Sequence, residues 1–357
     1  MILKQNAASN LIINDMCVKF YWICCLFLFF SMGCADEKKQ VEMQDLHHEV
    51  LDIPEILIGS PVDIQKDGDC LIVLDYQHDS LFHRIDLKGN CYMGMFGTKG
   101  QGPDDFIYPS SLNVFGDGCF SCYDVGDREL NLICLDMNKV KVSKLLNYRK
   151  MMTFDVVPLS EKLFIVNGET DGAMFALIDK EGNVLSVSDG YPYKDDAEKD
   201  IPVRFRAMAY QGSLRVNPNG YFAYAMSSAK QVHLYKVENE KIKKVGEVID
   251  GYGHYEPNTR LGDGYGVAHD GKSPECYKDL AITDDYVYAL YSGRTFQEYK
   301  MSAYDCETIY VYDWTGKLVK TYHLDVPVTQ FCIDEEANVI YATANVPDPT
   351  IVRFELD

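Results

Sequence analysis

The chain has 357 residues, 47% of them hydrophobic, and a formal net charge of -20. That is enough apolar material for one large β domain or two ordinary ones. The charge excludes nucleic acid and anionic membrane surfaces as partners, because affinity for both rests on Lys and Arg. Tyrosine dominates the aromatic residues, with 25 Tyr against 2 Trp, and Tyr-rich, β-branched segments favour strands.

The N-terminus differs from the rest. "MCVKFYWICCLFLFFSMGC" runs from Met16 to Cys34, with Lys19 as a short positive start and an uncharged apolar run from Phe20 to Met32. The run is short of the roughly 20 residues that span a bilayer. A charged start, an apolar middle and small residues before a cut form the layout of a secretory signal. Ser31 and Gly33 precede a cysteine, which resembles a bacterial lipobox, with Ser31 where Leu is usual; Bacteroidetes lipoproteins often depart in this way. Residues 1–33 are therefore read as a signal peptide with Met16 as its true start, Cys34 as the acylated residue, and 34–48 as a lipidated tether. Asp36 and Glu37 resemble the acidic surface-export signal of some Bacteroidetes lipoproteins. The implied partner is the lipid bilayer through the acyl anchor, and the implied place is the outer membrane, on its periplasmic or cell-surface face.

Eight cysteines remain beyond the signal and the anchor. An exported chain can pair them, yet most lie in apolar runs such as "DCLIVLDY" and read as buried thiols. "CFSC" at Cys119–Cys122 has redox spacing but falls on an alternating strand, not at a helix N-terminus that would lower a thiol pKa. No second C-x-x-C and no spaced His pair supports zinc.

From Glu49 to Asp357 one phrase recurs. "PVDIQKDGDCLIVLDYQHDSLFHRIDLKGNCYMGMFG" shows it best, with strands expected at Val62–Gln65, Cys70–Asp75, Leu81–Asp86 and Asn90–Phe96. "KDGD" and "LKGN" carry turn chemistry between them. Further copies begin near Tyr108, Phe154, Gly212 and Lys278, and their third-strand ends align: "RIDLKGN", "CLDMNK", "LIDKEGN", "LYKVENE", "VYDWTGK". A sixth copy, from Val328, stops one strand short. Four-stranded units every 45–50 residues or so predict a six-bladed β-propeller over 49–357. The N-terminal "HEVLDIPEILI" is expected to supply the missing strand and remove an exposed edge. "DAEKD" near Ala197 predicts one helical turn.

"FGTKGQGPDDF" (Phe96–Phe106) has the glycine density of a phosphate loop. It lacks the Lys-Ser/Thr of a Walker loop, and Asp104 and Asp105 would repel phosphate. It joins the last strand of blade one to the first of blade two. Gly97, Gly100, Gly102 and Pro103 are therefore read as a blade connector, and Phe106 as a plug for the seam. The phrase is similar to the "GxGPxEF" of six-bladed propeller lipoproteins from Bacteroidetes, of the TolB-like and NHL-like propeller families, with Asp105 where Glu is usual. The resemblance implies the fold and carries no catalytic residues with it.

Three unusual loops remain, and long loops in a compact domain are commonly functional. They follow blade three, follow blade four, and interrupt blade five. Tyr193, Arg204, Arg206, Tyr252, His254, Tyr255, Arg260, His269 and Arg294 are their candidate ligand-binding residues, since aromatic faces with polar tips suit sugar rings and peptides. No G-x-S-x-G or H-E-x-x-H is present, and Ser227 and Lys230 have S-x-x-K spacing only in a predicted turn. The reading is a non-catalytic propeller without a cofactor, binding a glycan, peptide or protein. The alternative is a metal-dependent hydrolase or lactonase with Ca2+ in the channel. Asp63, Asn113, Asp155 and Asn217 are available for that, but no spacing singles them out.

Overall fold

The computed structural model describes Val41 and residues 43–356, apart from Pro103, 137–138, 150–151 and 259–265. Cys34 with its signal, Pro103 and Arg260 lie outside the described residues.

Each second strand reads as one apolar run because it is covered on both faces. In Cys70–Asp75, Leu71 to Asp75 are all buried. Outer strands such as Cys91–Thr98 are mixed and half-exposed. This gradient from an apolar inside to a wet rim is what a blade requires. Blade one pairs Pro61–Asp67, Cys70–Asp75, Ser80–Asp86 and Cys91–Thr98, all antiparallel. Blade two runs from Pro109 to Asn147, blade three from Thr153 to Val187 and blade four from Gly212 to Ile249, each with the same strand order.

The last two blades share a strand. Leu318–Asp334 is 17 residues long. Its first part pairs with Cys306–Asp313 and its last part with Val339–Asn345. Pro327 sits between the two stretches, where a residue without an N–H is tolerated. The sixth blade is completed by His48–Val50, which lies antiparallel on Phe354–Val352. The ring is thus closed by an N-terminal strand, as the missing sixth strand predicts. Strand structure starts earlier than the tether reading has it, since Met43–Leu46 already runs parallel to Thr321–Leu324.

Six buried clusters fill the six seams. Leu74 and Phe82 meet Leu112 and Phe120 between blades one and two. Tyr123 meets Phe164 between two and three, and Phe175 meets Phe222 between three and four. Leu234 meets Leu280 between four and five, and Ile309 meets Phe331 between five and six. Ile64 and Val73 meet Cys332 and Tyr341 across the closing seam.

Elsewhere the structure adds to the sequence reading. The turn expected at "DAEKD" is Asp196–Lys199, and a second helix, Val203–Ala209, follows it. The long loop after blade four folds into a hairpin, Tyr255–Asn258 on Gly266–His269. Cys119 is bonded to Cys134 on the neighbouring strand, not to Cys122, which is buried and free.

Candidate functional site

The inner strands set the geometry. Each starts at one face of the ring, and the second strand returns to that face. The connectors between blades and the turns between second and third strands therefore share it. All three unusual loops belong to these two classes.

At this face each inner strand presents one polar residue to the channel. The six are Asp63, Ser111, Asp155, Ser213, Asp279 and Gln330, and they line a cavity of about 230 Å³ with Lys278, Gln211 and Phe154. In five blades the strand register shifts immediately before this residue. Such bulges re-aim side chains at the rims of closed sheets. Each of the three aspartates accepts the N–H of the residue after it at 2.8 Å. Asp63 and Asp279 also reach the next blade, accepting from the N–H of Leu112 and Phe331. Asp155 instead accepts the Ser111 hydroxyl at 2.8 Å.

Arg215 lies two residues further along its strand, one tier deeper. Its Nη2 donates to Asp63 and Asp279, both at 3.0 Å. A buried charge survives only when paired, and here one guanidinium joins opposite sides of the ring. Burial pushes Asp155 up to about 6, against the pull of the Ser111 hydrogen bond and Arg215. Burial likewise pushes Asp279 up to about 6 despite Arg215 beside it. Arg215 stands where a channel calcium would need to sit between carboxylates, so these residues do not fit the calcium site that the hydrolase alternative requires.

The loop residues divide into a shared group and isolated ones. The helical connector and the hairpin meet at Tyr210 and Tyr255, whose rings are 5.7 Å apart. Between them is a cavity of about 180 Å³ lined by Lys194, Glu198, Ile201 and Tyr255. Glu198 is buried and accepts the Tyr210 hydroxyl at 2.6 Å and the Lys194 N–H at 2.6 Å. Tyr193 is exposed, with Lys199 and Arg206 over its ring at 5.4 and 5.7 Å. Arg206 is itself buried and donates to the Tyr191 carbonyl, so it braces the loop. Arg204 lies over Phe205. Tyr252 is exposed, and His254 is 3.5 Å from Asp270. His269 is exposed opposite Tyr255 in the hairpin. Arg294 is held by Glu307 at 2.9 Å and lies over Tyr299. The hairpin and the blade-five loop touch where Gln297 donates to the Gly271 carbonyl.

The glycine-rich stretch runs from the end of Cys91–Thr98 of blade one toward Pro109–Gly116 of blade two. Gly97 has φ +74 with the Phe82 ring against it, and the Gly102 N–H donates to Asp105. The Gly100 N–H donates to the Phe106 carbonyl at 3.0 Å. Phe106 is buried edge-on to Phe82, inside the cluster shared by blades one and two.

Sequence reasoning named Asp63 and Asp155 without reason to prefer them, and missed Arg215, Asp279 and Gln330. The available signal was alignment of the first strands of the six copies, "VDIQ", "SSLN", "FDVV", "GSLR", "KDLA" and "TQFC".

The TolB-like 6-blade propeller-like family model matches residues 38–336. Among solved structures, a Bacteroides fragilis protein described as exported is similar over 87% of this chain and 94% of its own, at 14% identity and a TM-score of 0.50. A member of the DUF4221 family from Bacteroides vulgatus is similar over 88% of this chain and 96% of its own, at 11% identity and a TM-score of 0.50. No curated protein matches. With the family model covering most of its length and six blade seams in the structure, the chain belongs to the TolB-like 6-blade propeller-like family.

Proposed function

We propose that this is an exported, lipid-anchored binding propeller that takes a glycan end at the channel mouth and performs no chemistry on it. The observation that carries the reading is the ring of six polar side chains around a cavity of about 230 Å³. Hydroxyls and amides from Ser111, Ser213, Gln211 and Gln330 match sugar hydroxyls. Phe154 in the same lining offers a ring face for stacking. Export is supported by the signal and lipobox at Cys34, by the Cys119–Cys134 disulfide, which suits an oxidising compartment, and by the description of the B. fragilis neighbour. Among the described residues no helix is long and apolar enough to cross a membrane; the anchor would be the acyl chain. Changing Cys34→Ala should move the protein from the membrane to the soluble fraction.

The test of the ligand is titration calorimetry against a panel of glycans, with peptides as the comparison. Gln330→Ala should weaken glycan binding by about tenfold, the scale of one lost hydrogen bond. Binding of peptides alone would replace the glycan with a peptide or protein partner. Hydrolysis that needs no channel metal is the second reading. Asp155, raised toward neutrality in a cleft, has the character of a general base, while Arg215 stands against the metal.

A further inference from the structure

Blade one carries a second cluster with its own chemistry. Asp75 ends the second strand, His78 lies in the turn and His83 in the third strand. One ligand atom from each lies within 4.8 Å of the others. The spacing D-x2-H-x4-H escapes a search for evenly spaced His pairs, because a tight turn, not a helix face, brings the three together.

We propose that Asp75, His78 and His83 form a binding site for a zinc-class divalent ion. The ring nitrogens are arranged for it. His78 Nε2 lies 3.2 Å from the Leu57 carbonyl. A carbonyl only accepts, so Nε2 carries the hydrogen and Nδ1 keeps its lone pair. His83 Nδ1 lies 2.9 Å from the Tyr92 hydroxyl, leaving Nε2 toward Asp75 Oδ2 at 3.3 Å. Histidine ligands are usually oriented in this way by a partner on the other nitrogen. Zinc bonds of about 2.0–2.1 Å place two tetrahedral ligands about 3.3–3.4 Å apart, which is the His83–Asp75 separation. Without an ion the same contact is a buried His83–Asp75 hydrogen bond, which the metal would replace. Two imidazoles and a carboxylate suit zinc and its neighbours and do not suit calcium or magnesium. His83 and Asp75 are fully buried while His78 is partly exposed, so the ion arrives from the His78 side and a water completes the tetrahedron there.

The site would act as a clip. Asp75 also accepts the N–H groups of Gly59 and Ser60, and His78 holds Leu57. These residues form the segment between the closing strand and blade one. An ion here would fasten that segment at the junction where the ring begins.

The experiment is zinc titration of the metal-stripped full chain against a chromogenic chelator, with thermal unfolding in parallel. A second histidine pair, His47 and His48 on Asp325, is the competing surface site, so His48→Ala is included. The expected result is one equivalent of zinc, binding weakened at least 100-fold by His78→Ala and unchanged by His48→Ala. Zinc should raise the Tm of the natural chain and leave that of His78→Ala unmoved. No zinc uptake, or uptake kept in His78→Ala and lost in His48→Ala, overturns the proposal. The zinc absorption edge of the His48→Ala variant, which lacks the competing pair, reads the ligands directly: two imidazoles and oxygen support the site, and an all-water shell refutes it.

Discussion

Asp155 is a carboxylate kept where water would serve it better. Its pKa is raised from 3.8 to about 6, chiefly by burial. A raised folded value means that the folded state holds the proton more tightly than the unfolded one. The stability from that proton is fully present below about pH 4 and is lost as pH rises through 6. Asp155→Asn removes the buried charge and retains an oxygen for the Ser111 hydroxyl and the Val156 N–H. The variant should be more stable than the natural chain by about 2–3 kcal/mol at pH 8, and the advantage should vanish near pH 4. Urea unfolding at the two pH values checks this; an equal difference at both would sink it. Asp279 titrates in the same direction but cannot be treated alike. One of its oxygens serves Arg215 and Leu280 and the other serves Phe331, so an amide nitrogen would face a donor.

At the scale of elements, repetition made most of the fold legible. Turn residues and third-strand endings recur at the blade period, and the strands of blade one lie within a residue or two of their expected places. What the sequence hid were features without period. The bulge ahead of five of the six channel residues is a backbone event with no fixed residue type. Arg215 looks like an ordinary strand residue until Asp63, 152 positions away, is placed beside it. The shared strand Leu318–Asp334 was hidden by Pro327, which reads as a break. The glycines between blades one and two yield a sharp test through their geometry. An added methyl at Gly97 would sit 2.5 Å from the Phe82 ring, on a backbone with φ +74. Gly97→Ala should lower stability by about 2–4 kcal/mol, the left-handed strain plus the clash with Phe82, while Gly68, at φ +54 but in open space, should lose only the strain, about 1–2 kcal/mol. Thermal melts of the two variants side by side decide the point.

At the scale of the whole molecule, the six seams form a cycle and the cycle has one special member. Five joins between neighbouring blades are spanned by the chain within or beside the blades they unite. The sixth blade is completed by pairing between the two ends of the chain, with the Glu49–Arg353 ion pair on its surface. A chain starting at Leu51 would leave Pro349–Glu355 as a bare edge. Its Tm should fall by several degrees, and light scattering should reveal association that the longer chain lacks; an unchanged melt would show that the seam clusters alone hold the ring. This edge pairing joins residues 304 positions apart. Contacts of such separation form late, since the loop entropy is lost before the contact rewards it. His48–Val50 is therefore synthesised early and finds its place late. From its own synthesis onward His48–Val50 waits unpaired for a partner still to be made, and the sixth blade has no closed form until Val352–Phe354 exist.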